Sequence, residues 1–292
     1  MWENLELIRS VLELEEREFA EILKVSDKEY SRLKKQKHSL SVDSALAVAE
    51  RLNVGFDSII TGSIDFRAMK AQFQGDTAFV PERYSRGAKS KVRSAGTFLK
   101  YIETTYGSVK KDLVLRKHQF KEEALSDLDA FVSVRFASDL CKYVYKFSGS
   151  LEEVMNMGRY SAVTYANTAF GRDIRSTHDP RAAYAYVFGE VVEKYIEQNF
   201  WWRVEEVTRE GCRVIGTPNI SPEECFKTHD PLMCYLRAGF ISSVSAFLGM
   251  PISHIVKTKC IWNGDPHCEV RVTFPSRTQE QTLPLKLKQP SL

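Results

Sequence analysis

The run Cys260-Ile-Trp-Asn-Gly-Asp-Pro-His-Cys268 carries two thiols placed symmetrically about Gly264. Two β-rich segments flank its Asn-Gly pair, a strong short-range signal for a hairpin turn. With a loop of Asn263-Gly264-Asp265, Cys260 and Cys268 face each other across the two strands. Thiols paired in this way suit a metal ion, a cross-strand disulfide, or simple packing as small apolar side chains. The N-terminus, Met1-Trp2-Glu3-Asn4, lacks the basic and then apolar pattern of a signal peptide, so a cytoplasmic location is expected. There, reduced thiols or a metal are favoured over a disulfide.

The elements that must position these residues follow from the hydropathy pattern. The chain has 292 residues, 43% of them apolar, enough for two domains with real cores. Its net charge of +3 does not by itself point to nucleic acid. No apolar run is long enough to span a bilayer, so no membrane partner is expected. Residues 3–61 read as short helices, with Leu5, Ile8 and Leu12, then Phe19, Ile22 and Leu23, at helical spacing. Ser26 and Asp27 predict the start of a helix over 27–36. Ser41 and Asp43 open another, with Leu46, Val48, Ala49 and Leu52 as its apolar stripe. Residues 63–80 read as a linker. Helices are predicted over 89–106, 109–117, 121–127, 129–146, 151–165 and 181–198. The pattern then alternates, and 200–208 with 212–217 form a hairpin about Arg209-Glu210-Gly211. A long apolar helix or helix pair runs from Pro222 to Leu248. Strands 253–262 and 267–274 close the domain, and 275–292 reads as a disordered tail.

Phe19-Ala20, Val25-Ser26, Tyr30, Leu33, Leu46, Ala49, Leu52, Val54 and Phe56 give the segment Ile8–Ile60 a pattern that resembles the lambda-repressor-like helix-turn-helix family of the Xre type. The resemblance implies that Ala20 lets two helices pack closely, that Val25 fills the angle between them, and that helix 27–36 enters the major groove. Lys28, Arg32, Lys34, Lys35 and Lys37 would meet phosphates, and Lys28, Glu29 and Arg32 would reach base edges. Two positions depart from the family: Glu16 stands where a phosphate-binding Gln is common, and Lys34-Lys35-Gln36 replaces Glu-x-Gly.

Gly239-Phe240, Ala246-Phe247-Leu248-Gly249, Cys260, Gly264-Asp265 and Cys268 make residues 212–274 resemble the 4-vinyl reductase domain family. That resemblance implies an α/β sensor of small apolar or aromatic molecules. It also implies zinc on Cys234, Cys260 and Cys268, with Lys257 standing where the family has a Glu ligand. An ammonium group cannot ligate a cation, which leaves His254, Asp265 or His267 as candidates for a fourth donor. Trp202, Tyr235, Phe240, Phe247 and Trp262 are the candidate ligand-pocket residues, with His178 and His229 as polar groups beside them.

Phosphate loops and a nucleophile elbow are missing, and Asp173, His178 and Asp179 read as a turn before a helix starting at Pro180, so no enzyme is expected. The expected architecture is multidomain. An all-α helix-turn-helix domain (1–62) and the linker precede an α/β (α+β) sensor domain (81–274) with antiparallel hairpins. The expected function is a ligand-responsive, homodimeric regulator binding duplex DNA. The alternative is a protein-interaction scaffold that uses its N-terminal helices to dimerise.

Overall fold

Side-chain caps set the helix starts in the N-terminal third. Ser26 Oγ accepts from the Glu29 amide at 3.2 Å, and Ser41 Oγ accepts from the Ser44 amide at 3.0 Å, each satisfying a donor that the first turn leaves open. The computed structural model describes residues 1–275, so the expected tail from Pro275 onward lies, but for its first residue, outside the described residues. The chain divides into two compact units. Unit 1 comprises Met1–Ala88 and Ile102–Ser133, and unit 2 comprises Lys89–Tyr101 and the chain from Val134.

Unit 1 begins with α1 (Trp2–Val11), α2 (Glu16–Ile22), α3 (Asp27–Gln36), α4 (Val42–Arg51) and α5 (Phe56–Thr61). Leu5, Ile8, Phe19, Leu23, Tyr30, Val48, Leu52 and Ile59 form its core. Leu46, expected on the buried stripe, is 46% exposed, and Ala45 is buried in its place. Where a linker was expected, the chain forms α6 (Phe66–Phe73), started by Asp65, whose carboxylate accepts from the Ala68 amide. Ile64 and Met69 enter the unit 1 core. A buried amide network holds α6 in place. Asn53 donates to Gln72 Oε1 at 2.8 Å and to the Phe120 carbonyl at 3.0 Å, while Gln72 donates to the Gln119 carbonyl at 2.7 Å. The sparse apolar pattern of 63–80 therefore hides a helix whose Gln72 is buried by amide hydrogen bonding. The short α7 (Glu82–Ser85) also belongs here, and α8 (Val92–Tyr106) is shared between the units before α9 (Ser108–Lys117). The expected boundary at 81 thus moves.

Unit 2 contains α10 (Val134–Ser148), α11 (Leu151–Arg159), α12 (Ser161–Tyr165), α13 (Ala169–Ser176) and α14 (Pro180–Tyr186), the last running into a π-helix over Val187–Ile196. Asp179 caps α14, and Pro180 sits in its first turn. A four-stranded antiparallel sheet follows: β1 (Phe200–Glu205), β2 (Gly211–Pro218), β3 (His254–Lys259) and β4 (Cys268–Thr273), in the order β1-β2-β4-β3. Between β2 and β3 lie α15 (Pro222–Thr228) and α16 (Leu232–Ser243). The result is an α+β chain, mostly helical. Among the described residues no single helix is long and apolar enough to cross a membrane.

The two helices α11 and α16 meet backbone to backbone. A Cβ built on Gly239 would lie 2.0 Å from the Met155 carbonyl oxygen, and one on Gly158 would lie 2.0 Å from that of Leu236. Gly158→Val or Gly239→Val must push the helices apart, at a cost of about 1–3 kcal/mol. Each should lower the thermal midpoint followed by circular dichroism. Gly96→Ala, in α8 with nothing within 4 Å of the new methyl, should raise it instead through helix propensity. Equal effects of the three substitutions would contradict the close-packing account.

Candidate metal centre and aromatic core

Cys234 lies in the first turn of α16, Cys260 follows β3, and Cys268 opens β4. Their sulfur atoms lie within 4.8 Å of one another, with Cys234 and Cys260 Sγ 3.7 Å apart. All six cysteines are free thiols. Cys260 is buried, and the other two members of the cluster are half-buried. The loop that brings them together is longer than the three-residue turn expected. Cys260 has left the ladder before a 3-10 turn over Ile261–Asn263, and Cys268 pairs with Gly216 of β2. Thus Cys260 and Cys268 are not cross-strand partners. The Cys260 amide donates to Asp265 Oδ2 at 2.8 Å, and Gly264 adopts φ 87°, which lets the chain reverse.

Among the described residues no fourth His, Cys, Asp or Glu joins the sulfurs within that radius. Asp265 is engaged by the Cys260 amide. His267 faces Glu269 at 3.5 Å, and His254 is exposed on β3. Lys257 turns its ammonium over the Tyr235 ring, 5.3 Å from the centroid. The lysine at the expected ligand position therefore rests on an aromatic face.

Beside the cluster lies a buried ion pair. Arg237 follows Cys234 by three residues on α16 and donates to Glu197 through Nε at 3.0 Å and Nη2 at 2.9 Å. The same guanidinium lies 3.9 Å above the Phe200 ring. Burial pushes the Glu197 carboxyl up, but Arg237 outweighs it and holds the group below the usual carboxylate range. The Cys234 thiol donates to Cys268, which favours the Cys268 thiolate against the opposing effect of burial, and Arg237 adds to this.

His229, also buried, meets the Phe200 ring edge-on at 5.6 Å. Its Nδ1 lies 3.0 Å from Thr228 Oγ1, and its Nε2 has no hydrogen-bond partner. Burial, aided by Arg237, depresses its pKa to about 3.

The candidate pocket residues separate. Phe200 and Trp202 face inward while Trp201 is 60% exposed, as strand alternation requires. Trp202, Phe240 and Phe247 pack on the unit 2 core, and Phe188 of the π-helix lies 5.5 Å from Trp202 and 6.0 Å from Phe240. Trp262 instead meets Phe226 at 4.8 Å, and Tyr235 lies under Lys257. His178 is exposed, with φ 53°. Sequence reasoning missed Arg237, Glu197 and Phe188. The spacing Cys234-x-x-Arg237 puts both side chains on one helix face and could have flagged the arginine. Nothing local marks Glu197.

The basic residues of unit 1 are less free than their spacing suggested. Lys34 Nζ lies 2.8 Å from both Glu6 and Glu16 carboxylates, and Tyr30 donates to Glu6 beneath it. Lys37 pairs with Glu3 at 3.7 Å, and Arg32 lies 4.0 Å from Glu29. Lys28, Arg32 and Lys35 remain exposed.

No family model matches the sequence, and no curated protein is similar to it. Solved structures do match. An H-NOX protein from S. oneidensis in the Fe(II) ligation state (a triple mutant) aligns with TM-score 0.50 and 13% identity, covering 64% of this chain and 96% of its own. An Fe(II) unliganded H-NOX protein from K. algicida aligns with TM-score 0.49 and 13% identity, covering 65% of this chain and all of its own. The first likeness shows a shared fold. The expected membership of the Xre and 4-vinyl reductase families is thereby corrected: the sequence matches neither family, and a solved structure whose fold it shares is an H-NOX protein. The motifs behind the expectation are short segments of helix, turn and hairpin that unrelated chains also use.

The buried imidazole predicts an acid response. The unfolded chain binds a proton at His229 near the ordinary value of 6.5, whereas the folded chain resists it until about pH 3. Stability from this group is present above 6.5 and is lost as pH falls below it, by up to about 1.4 kcal/mol per pH unit. His229→Gln should show a shallower loss between about pH 6.5 and 5 in urea unfolding at fixed ionic strength. Parallel profiles for the two proteins would contradict the assignment.

Proposed function

We propose that the chain is a ligand-responsive regulator. Unit 2 receives a small apolar or aromatic molecule, and unit 1 offers the outer face of α3 to duplex DNA as part of a homodimer. The reading assigns the chain no catalytic step. The observation that carries the sensor half is Trp202. Its Nε1–H is buried without a hydrogen-bond partner, inside a cluster with Phe188 at 5.5 Å and Phe200 at 5.7 Å. Across the ladder stands Gly216, where a Cβ would lie 2.7 Å from the indole. A buried donor left unpaired costs about 1–3 kcal/mol. A ligand with a hydroxyl or carbonyl oxygen would recover that cost, and the surrounding rings would hold its apolar body.

Heme belongs to the H-NOX family, which raises the question whether the residues of unit 2 could hold one. They do not fit one. Tyr184, Phe188, Trp202, Phe240 and Phe274 pack under the sheet at centroid distances of 5.4 to 6.1 Å, so a porphyrin could enter only by displacing several of them. The buried histidine of unit 2 is edge-packed on Phe200 rather than aimed into a slot. The three sulfurs fit a thiophilic cation instead. Zinc held there would have a fourth position left to water.

The DNA half rests on exposed Lys28, Arg32 and Lys35, with Lys34 held in its double ion pair. Two measurements test the reading. Calorimetry should show phenol binding more tightly than toluene. Trp202→Phe should weaken phenol about tenfold, the worth of one hydrogen bond, and leave toluene unchanged. Phenol that fails to bind, or binds the variant equally well, removes the pocket. Fluorescence anisotropy on duplex DNA should weaken steeply with salt, and Arg32→Ala with Lys35→Ala should reduce the salt slope by about two. Absence of binding at low salt removes the DNA half alone.

A further inference from the structure

We infer that Cys234, Cys260 and Cys268 form a receptor for a trivalent, three-coordinate thiophile, of which arsenite is the simplest, rather than a site shaped for a tetrahedral cation. The inference rests on reading the three sulfurs as one site and goes further by naming what that site prefers.

Donor number comes first. Three sulfurs lie within 4.8 Å of one another, and no fourth His, Cys, Asp or Glu among the described residues joins them. Of the candidate fourth donors, Asp265 accepts from the Cys260 amide, His267 lies 3.5 Å from Glu269, and His254 is exposed on β3. Structural zinc sites are closed by four protein ligands. A pyramidal trivalent centre needs only three, with its lone pair at the open apex. The 3.7 Å separation of Cys234 and Cys260 Sγ is van der Waals contact for two sulfurs, close enough for one small centre to bond both.

Charge decides in the same direction. Three thiolates around a trivalent centre sum to zero. Three thiolates and a divalent cation with water leave one negative charge, and burying net charge is costly without a partner. The cation nearest by chemistry is Arg237, which already holds Glu197 through two hydrogen bonds. A neutral product therefore suits the surroundings better. Cys260 is buried, while Cys234 and Cys268 are half-buried.

The reaction balances without an oxidant. Arsenous acid, As(OH)₃, meets three thiols. Each As–O bond breaks as an As–S bond forms, each thiol proton leaves on the departing hydroxide, and three waters are released. Arsenic stays trivalent throughout.

The test uses the full chain, stripped of metal by a chelator and kept reduced with a phosphine. Arsenite is added at one equivalent, with and without one equivalent of zinc. Native mass spectrometry should show one arsenic bound with three protons lost, whether or not zinc is present. Alkylation with iodoacetamide followed by peptide mapping should show Cys234, Cys260 and Cys268 protected together, and Cys141, Cys212 and Cys225 unchanged. Cys260→Ser should lose arsenite at this stoichiometry, while Cys225→Ser keeps it. The mapping on the unmodified chain stands even if a variant fails to fold. Zinc that arsenite cannot displace overturns the preference for a trivalent centre and leaves a three-sulfur cation site, whereas protection of only two sulfurs overturns the three-sulfur site itself. Retention of neither ion overturns both.

Discussion

Unit 2 depends on the contact between the backbones of α11 and α16. With Gly158 and Gly239 at the crossing, each helix passes where a methyl group would strike the other's carbonyl oxygen. Small residues at a crossing remove the usual layer of side chains between helices, whose axes otherwise stay 8–10 Å apart. The consequence reaches beyond packing. Helix α16 carries Cys234, Arg237 and Phe240 in succession, so the depth at which it sits fixes the sulfur cluster, the ion pair and part of the aromatic core together. Displacing α16 outward would separate Cys234 from the loop that bears Cys260 and would draw Phe240 away from Phe188.

The buried Glu197–Arg237 pair is the second constraint. Taking two charges from water costs several kcal/mol per ion, and the bidentate geometry recovers that only when it is well formed. Here it is supported on three sides. Asn199 donates to Glu197 at 3.2 Å, Phe200 lies under the guanidinium, and the glutamate sits at the end of the π-helix. Such a pair contributes specificity of arrangement more than net stability, because removing either partner leaves a bare charge inside the protein. It therefore pins the end of the π-helix to α16. π-helical turns are rare and concentrate where function requires an irregular backbone. In this chain the π-helix supplies Phe188, the ring that meets both Trp202 and Phe240.

Much of the local structure was legible in the residues. Ser26, Ser41 and Asp179 marked helix starts because capping is chemistry between near neighbours. Strand alternation puts Phe200 and Trp202 on one face and Trp201 on the other, while only the fold shows that the Phe200 face is the buried one. What could not be read depends on partners distant in sequence. Gly158 is an ordinary helix residue until Gly239 is set beside it. The amides of Asn53 and Gln72 look like surface polarity until Phe120 and Gln119 supply buried carbonyls, and so α6 passed for a linker. Lys34 reads as part of a basic run, yet it is neutralised by Glu6 and Glu16 on other helices. The three sulfurs of Cys234, Cys260 and Cys268 meet, a set named only by a family resemblance that the comparisons overturned, and they do so by a longer loop than the Asn-Gly pair suggested.

Because one rigid helix serves the sulfur cluster and the aromatic core, the two cannot respond independently. An ion that bridges Cys234 to Cys260 and Cys268 ties the start of α16 to the β3–β4 loop. Tight packing at Gly239 closes off movement toward α11. The freedom left to α16 is small, and what remains of it moves Phe240 relative to Phe188 and Trp202. If an ion on the sulfurs and a ligand beside Trp202 both favour one position of α16, each raises the other's affinity by the same factor. Coupling of this kind needs no signal relayed through a chain of residues. It requires only that α16 be stiff and that both sites hold the same helix, and the glycine crossing supplies the first condition as directly as Cys234 and Phe240 supply the second.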